Sequence, residues 1–205
     1  MLKTTITFGE PVENYDRLVL NEREARAGAG ILFLFAIISF LYAATYMDFR
    51  FTKVFITFFM LDFFVRVFIS PKYAPSLIAG RLFVSHQTPE YVSATPKRFA
   101  WSIGFILSVV MFILVVVLEM MTKIKLVICL LCLSLLYFEA VFGICLGCII
   151  YRLITHKKTQ YCPGGTCMLQ QKENIQKVSF SQKMIVLIAF SSAAYFTYIA
   201  YYLNP

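Results

Sequence analysis

Long apolar runs, separated by shorter polar segments, dominate this chain. Five runs are long enough for a membrane-crossing helix, because a hydrocarbon core of about 30 Å needs about 20 helical residues at about 1.5 Å each. They cover residues 29–47, 51–70, 100–121, 124–154 and 184–203. The pattern predicts an all-α integral membrane protein, a bundle of about five transmembrane helices.

Two segments depart from this simple pattern. The run 124–154 is longer than one span needs, so its helix tilts, protrudes into the cytoplasm, or breaks near Gly143. Between the second and third runs, residues 71–99 are rich in Pro, Ser and Thr. Within them, Ser76–Phe83 predicts a short interfacial helix whose apolar residues enter the headgroup region while Arg81 stays in water.

The polar segments complete the predicted domain organisation. Residues 1–28 are polar and lack the apolar stretch of a secretory signal peptide, so the first apolar run is expected to be a retained helix. They form a cytoplasmic N-terminal segment, followed by a transmembrane core at 29–154. Residues 155–183 form a cytoplasmic loop that contains cysteines, and residues 184–205 form a C-terminal transmembrane helix.

Composition and charge support the membrane interpretation and give it a sidedness. The 205 residues are 60% hydrophobic and 15% charged, against about 45–50% and about 25% in soluble domains. With the N-terminus in the cytoplasm, the outer segments hold Arg50, Lys53, Lys123 and Lys125, and the inner segments hold fourteen of the nineteen Lys and Arg residues. This bias follows the positive-inside rule, and the net charge of +8 is explained by topology and anionic lipids rather than by nucleic acid.

The six cysteines form three closely spaced pairs. Cys129 and Cys132 lie near the outer end of the fourth run, Cys145 and Cys148 near its inner end, and Cys162 and Cys167 in the cytoplasmic loop. Residues three apart share a helix face, so two such thiols can exchange a disulfide or share a soft metal. Cysteine in an apolar helix is also a small packing residue, which is our interpretation of the outer pair.

We interpret the four inner cysteines as reagents for thiol exchange. A permanent disulfide is not expected in the reducing cytoplasm, and Pro163–Gly165 is a turn sequence that brings Cys162 and Cys167 together. No cofactor is predicted. The alternative is a zinc or iron–sulfur site at Cys145, Cys148, Cys162 and Cys167, although their spacing is not a standard one.

Charged residues inside the apolar runs are the other candidates for function. Asp62 and Arg66 are four residues apart, on one helix face, and are predicted to form a structural ion pair. Glu139 has no such neighbour and is a candidate proton relay, with a hydrogen-bond donor or a partner for Arg66 as alternatives. Gly143 and Gly147 form a G-x-x-x-G pattern that predicts close helix packing.

Four segments together resemble a bacterial family of polytopic inner-membrane proteins of unknown function. They are N-E-R-E-A-R-A-G-A-G, L-D-F-F-V-R-V-F-I-S-P-K-Y-A-P, T-P-K-R-F-A-W-S-I-G and E-A-V-F-G-I-C-L-G-C, the last at Glu139–Cys148, and the loop Y-C-P-G-G-T-C resembles an extension of some members. The resemblance implies a four-helix core with the fifth helix added. It also implies an association with thioredoxin-like or rhodanese-like proteins, which would make such a protein a partner.

Three functions fit the sequence. The first is a membrane thiol protein that handles reducing equivalents or sulfane sulfur through paired cysteines. The second is a transporter or channel for a soft ion or a small sulfur species. The third is a non-catalytic subunit of a larger membrane complex. Nucleotide-binding glycine loops, hydrolase triads and haem attachment motifs are missing from the sequence, so classical soluble-enzyme chemistry is not expected. Whether the chain is an enzyme of another kind stays open.

Overall fold

The computed structural model describes residues 8–12, 15–119, 123–155, 179–185, 187–188, 191–192 and 195. Six α-helices lie within residues 8–155: α1 (Glu22–Tyr46), α2 (Arg50–Phe64), α3 (Pro75–Val84), α4 (Ala94–Phe112), α5 (Lys123–Tyr137) and α6 (Leu146–Thr155). Each of α2, α4 and α5 continues into one π-helical turn, at Val65–Ile69, Ile113–Val117 and Phe138–Phe142. The described part is thus built mainly of helices.

Three of these helices are long and apolar enough to cross a membrane. They are Glu22–Tyr46, Ala94–Val117 and Ile124–Phe142. The helix formed by α2 and its π-helical turn runs antiparallel beside α1 but carries Arg50, Lys53, Asp62 and Arg66. We call the end of the bundle where α1 begins the Glu22 end, and the end where α1 stops the Tyr46 end.

The boundaries of α1 follow from local chemistry. Asn21 precedes the helix, and its side-chain oxygen accepts a hydrogen bond from the backbone N–H of Arg23 at 3.2 Å, which satisfies one of the free donors of the first turn. The helix ends at Met47, whose φ of 54° is left-handed. The sequence placed the start at residue 29, but the N-cap at Asn21 extends the helix by about two turns.

A two-stranded antiparallel sheet joins the starts of α1 and α4. Strand β1 (Val19–Asn21) pairs with β2 (Tyr91–Ser93), with Val19 opposite Ser93 and Asn21 opposite Tyr91. Each strand runs directly into a helix, so the pairing fixes the first turns of α1 and α4 beside each other. The apolar-run pattern did not predict this sheet.

The core lies between α1 and the helices that surround it. Ala25, Ala29 and Leu32 of α1 pack with Phe63 and Trp101 in one buried cluster. The outward faces of the helices are apolar as well, and side chains more than half exposed include Leu34, Leu41, Val54, Ile106 and Val127. Soluble monomers rarely expose apolar side chains over so much of their surface.

The long fourth run is broken, one of the three arrangements expected from its length. Its first helix ends at Phe142, and α6 begins at Leu146. The short helix expected at Ser76–Phe83 corresponds to α3 (Pro75–Val84). Residues 169–205 form a separate compact unit, in which 180–185 are helical, and most of the predicted span 184–203 lies outside the described residues.

Candidate functional site

A buried ion triad lies at the Glu22 end of the bundle. The Nζ of Lys97, in the first turns of α4, lies 2.8 Å from Glu22 of α1 and 2.7 Å from Oε1 of Glu139. The side chains of Glu22 and Lys97 are fully buried, and that of Glu139 is 15% exposed. The β-sheet brings the starts of α1 and α4 together, and so places Glu22 within reach of Lys97.

The triad has an unbalanced charge, because two carboxylates face one ammonium. The ammonium of Lys97 contacts both carboxylates and compensates only one of their charges. Glu139 is the more exposed of the two. It is therefore the carboxylate of the triad that groups outside the cluster can reach. The expected alternative partner, Arg66, is bound elsewhere, and Glu139 pairs with Lys97.

Glu139 belongs to the turn that ends the helix begun by α5. Gly143 stops that helix with a left-handed φ of 66°, and its N–H donates to the carbonyl of Glu139 at 3.2 Å. The guanidinium of Arg26 donates to the carbonyl of Val141 at 3.2 Å, which stabilises the negative end of the helix. A Cβ at position 143 would lie 3.1 Å from Nη1 of Arg26, so glycine suits this position for two reasons.

Cys145 and Cys148 lie immediately after this break, at the start of α6. Their Cα atoms are 5.2 Å apart, and the two side chains form a disulfide. The backbone N–H of Cys148 donates to the Sγ of Cys145 at 3.3 Å. A sulfur at the beginning of a helix that accepts a hydrogen bond from a backbone N–H group is stabilised as a thiolate when it is reduced. The arrangement can therefore support thiol–disulfide exchange, with Cys145 as the more reactive sulfur.

The packing of α6 against α4 holds this cysteine pair in place. A Cβ at Gly147 would lie 2.6 Å from the Cβ of Ala100, and the rings of Tyr151 and Phe99 are 5.4 Å apart. The expectation that Gly143 and Gly147 act together in a packing motif is wrong, because Gly143 ends one helix and Gly147 lies in the next. Gly147 alone allows the close helix contact.

A second buried polar cluster ties α2 to α3. Nε of Arg66 lies 2.7 Å from Oδ2 of Asp62, and both side chains are almost fully buried. Oδ1 of Asp62 accepts the backbone N–H of Ser76 at 2.9 Å, so the carboxylate also caps α3. The guanidinium of Arg66 stacks on Phe63 and Trp101, at 4.6 and 5.1 Å from their ring centroids. These contacts of Asp62 and Arg66 hold α2 and α3 together, and none of them involves a cysteine.

An exposed ion pair joins α3 to α1 at the same end. The side chain of Arg81 lies 3.0 Å from Oε2 of Glu24. The hydrogen bond to Glu24 raises the pKa of the Arg81 guanidinium above its ordinary value, so the guanidinium stays charged. The pair borders a cavity of about 620 Å³ that is also lined by Lys72, Tyr91 and Trp101.

Of the remaining cysteines, the structure describes two, and they lie on another helix than Cys145 and Cys148. Cys129 and Cys132 lie on α5, half-buried and unbonded. Cys162 and Cys167 lie outside the described residues. Within the described ranges, no group of three or more His, Cys, Asp or Glu side chains is arranged to hold a metal. The four-cysteine metal site predicted as an alternative therefore stays a prediction.

Comparison with known proteins assigns the chain to a family. The family model described as a domain of unknown function, DUF4395, matches residues 20–156. The chain belongs to the DUF4395 family. No curated protein and no solved structure matches it. The DUF4395 match begins at β1 and ends just after α6, so it contains both the ion triad and the Cys145–Cys148 pair.

Sequence reasoning missed two members of the ion triad in this DUF4395 protein. Lys97 was counted only as an inner positive charge, and Glu22 only as part of the polar N-terminal segment. Both lie just outside the predicted apolar runs, and 75 residues separate them. Each lies in the first two turns of its helix, and the apolar runs predicted the start of both helices several residues too late in the chain. Closeness to the start of an apolar run was therefore the one local signal that could have found them.

Proposed function

We propose that the chain is a membrane thiol protein that passes reducing equivalents through paired cysteines. The observation that carries the proposal is the position of Cys145 and Cys148, which are paired at the start of α6 with Sγ of Cys145 bound by a backbone N–H. The disulfide favours the transfer of reducing equivalents over the carriage of sulfane sulfur, because a sulfane carrier needs only one thiol. Cys162 and Cys167 are the proposed exchange partners of this pair.

The buried triad supports the same chemistry. A disulfide that is reduced takes up protons as well as electrons, and one that forms releases them. Glu139 is the proposed proton relay, because it lies six residues before Cys145 and is the more exposed carboxylate of the triad. Arg26 and Lys97 fix the helix end that carries Glu139, and so they fix the start of α6 relative to α1 and α4.

The proposed location is the bacterial inner membrane, with the N-terminus in the cytoplasm. Three long apolar helices and the apolar exterior of the bundle support a bilayer environment. The positive-inside bias supports a cytoplasmic position for the Glu22 end, and with it for Cys145 and Cys148. There, α3 and α6 expose Leu82, Phe83, Leu153 and Ile154, as expected of two helices that rest on the membrane surface.

Trapping of a mixed disulfide tests the proposal. The full-length protein, in lipid nanodiscs, is reduced and then incubated with oxidised glutathione, and the adducts are located by peptide mass spectrometry. Cys148→Ser should accumulate glutathione on Cys145, because the sulfur that would resolve the adduct is gone. Cys145→Ser should accumulate much less on Cys148, whose sulfur lacks the bound N–H. Equal labelling of the two variants, or none in either, would refute the proposed role of Cys145.

The outer cysteines provide a matched control. The double variant Cys129→Ser, Cys132→Ser removes two thiols from α5 and leaves the start of α6 unchanged. We expect it to form and resolve the adduct at Cys145 at the same rate as the unmodified protein. A large change in that rate would show that the two pairs exchange with each other.

A further inference from the structure

A second cavity, of about 440 Å³, lies at the Tyr46 end of the bundle. It is enclosed by the second halves of α1 and α4 and the first halves of α2 and α5, with Ala43, Ile56, Met111 and Leu126 among its walls. Its volume is in the usual range of small-molecule sites, about 300–1,000 Å³. The residues of the ion triad, Cys145 and Cys148 are not among its lining residues, so the proposed thiol site does not use this cavity.

Both thiols of α5 line this cavity. The lining residues of α5 are Lys125, Leu126, Cys129, Cys132, Leu133 and Leu136. These recur every three or four residues, which defines one face of a helix. Lys125 lies one turn before Cys129 on this face. The pair is therefore presented to whatever occupies the cavity, with a cation on the same face.

The other walls combine aromatic rings with very few polar atoms. Phe40, Phe49, Phe55 and Phe59 line the cavity, and the ammonium of Lys125 lies 4.2 Å from the ring centroid of Phe49. Oγ of Ser39 donates to Oγ1 of Thr52 at 3.1 Å and adds a small polar point to the same wall. Flat apolar rings pack well against such phenylalanine walls. The Thr52 hydroxyl in turn donates to the backbone carbonyl of Ser39, so the donor on these walls that can bind an oxygen atom of the ligand is the ammonium of Lys125.

We propose that this cavity binds the ring of a membrane-soluble quinone and that Cys129 and Cys132 exchange electrons with it. The apolar outer surface of the four helices favours a ligand that arrives from lipid. A quinone fits the wall chemistry, since it has a flat ring for the phenylalanines and a carbonyl oxygen for Lys125. A quinone is also an oxidant that can accept two electrons and two protons from the two thiols.

The proposed step is balanced in atoms and charge. The two thiols together give up two electrons and two protons, and one S–S bond forms between Cys129 and Cys132. The quinone takes up those electrons and protons, and its two carbonyls become the two hydroxyls of a quinol. Helix neighbours three residues apart have Cβ atoms about 5–6 Å apart, against about 3.5–4.5 Å in a disulfide. The turn that contains the pair therefore tightens as the bond forms.

Quinone reduction by the full-length protein tests the inference. The protein in nanodiscs is reduced, freed of reductant and mixed with a fully substituted benzoquinone that carries a short alkyl tail, because full substitution prevents addition of thiols to the ring. Quinol is followed by ultraviolet absorbance, and the disulfide is located by alkylation and mass spectrometry. We expect one quinol for each Cys129–Cys132 disulfide. The variant Cys129→Ser, Cys132→Ser should form no quinol.

A cavity-filling variant separates binding from loss of the thiols. Ala43→Phe places a ring in the cavity and leaves both cysteines in place, whereas Leu41→Phe makes a matched change on the exposed face of the same helix. We expect Ala43→Phe to slow quinol formation by about tenfold or more, equivalent to about 1.4 kcal/mol, and Leu41→Phe to leave it unchanged. Stabilisation by the quinone in a thermal unfolding assay, lost in Ala43→Phe, would support binding even if electron transfer is slow.

Several results would overturn the inference. One is quinol formation that persists in the Cys129, Cys132 double variant. Another is an equal rate in Ala43→Phe and Leu41→Phe, or binding of a monovalent soft metal at this pair with no effect of quinone. The test is independent of the proposed thiol function, because Cys145→Ser, Cys148→Ser should keep the quinone reaction and lose only the glutathione adduct.

Discussion

The Nζ of Lys97 lies 2.7 Å from Oε1 of Glu139, and this contact joins the start of α4 to the end of the helix begun by α5. The same nitrogen lies 2.8 Å from Glu22 at the start of α1. One buried ammonium therefore holds three helix ends together, directly beside the break that carries Cys145 and Cys148. Much of the proposed site depends on this one side chain.

Replacement of Lys97 by methionine should strongly destabilise the protein. It would leave Glu22 and Glu139 buried without a counter-charge, and the loss of one partner of a buried ion pair costs about 3–5 kcal/mol. The measurement is the midpoint of thermal unfolding in detergent. Lys53→Met is the matched control, because Lys53 pairs with the exposed Glu119 and should cost less than about 1 kcal/mol. Similar shifts in the two variants would contradict the structural role of Lys97.

Removal of the Ser76 hydroxyl should weaken the link between α2 and α3. This hydroxyl donates to Asp62 at 2.6–2.7 Å and accepts from Arg66. Ser76→Ala leaves buried charged groups with one partner fewer, which costs about 1–3 kcal/mol. Chemical unfolding in detergent measures the loss. Ser85→Ala, on the exposed end of the same helix, should change the free energy of unfolding little, and an effect as large as that of Ser76→Ala would argue against the cluster.

Much of the helical framework can be predicted from the sequence, because apolar runs of the required length have few other stable arrangements in lipid. The spacing of Asp62 and Arg66 gave a pairing that follows from helix geometry alone. The contact of Lys97 with Glu22 could not be predicted in this way. It depends on β1 and β2, two three-residue strands far apart in the chain, and pairing between such short strands leaves no periodic signal.

The cysteine site was predicted in part. The C-x-x-C spacing identified Cys145 and Cys148, but their position at the start of α6 depends on the break at residues 143–145. A glycine within an apolar run fits a packing motif, a bend or a helix end, and sequence alone does not separate them. The left-handed φ of Gly143 and the guanidinium of Arg26 decide the outcome here, and Arg26 reaches the break from another helix.

Replacement of Gly143 by alanine should destabilise the helix break. The residue has a left-handed φ of 66°, which costs a residue with a Cβ about 1–2 kcal/mol, and the new Cβ would also displace Arg26. Thermal unfolding in detergent measures the effect. Gly30→Ala is the control, since a Cβ there meets only Ala140 at 3.8 Å and alanine favours the helix. A Gly143→Ala protein as stable as the Gly30→Ala protein would contradict the assigned conformation.

The carboxyl of Glu119 should titrate at an unusually low pH. A hydrogen bond from the ammonium of Lys53 lowers the pKa of Glu119 below its ordinary value. Since the folded-state pKa is the lower one, the pair stabilises the fold above the unfolded-state pKa, and this contribution is lost as pH falls through the folded-state pKa. Carbon-13 NMR of the carboxyl should show the low midpoint, and Lys53→Met should return it to the ordinary value. An unchanged midpoint in that variant would exclude the pair in solution.

Replacement of Gly147 by alanine should make the Cys145–Cys148 pair more accessible. The new Cβ would lie 2.6 Å from the Cβ and 2.7 Å from the Cα of Ala100, so α6 must move away from α4. Both cysteines are less than one-tenth exposed in the packed arrangement. A change of about 1.4 kcal/mol in the opening equilibrium would raise their reactivity about tenfold. The rate of alkylation after reduction, followed by mass spectrometry, should rise by that order. Ala100→Gly in the same protein removes the Cβ contact and should reverse part of the increase, whereas an alkylation rate equal to that of the unmodified protein would show that access to the thiols is controlled elsewhere.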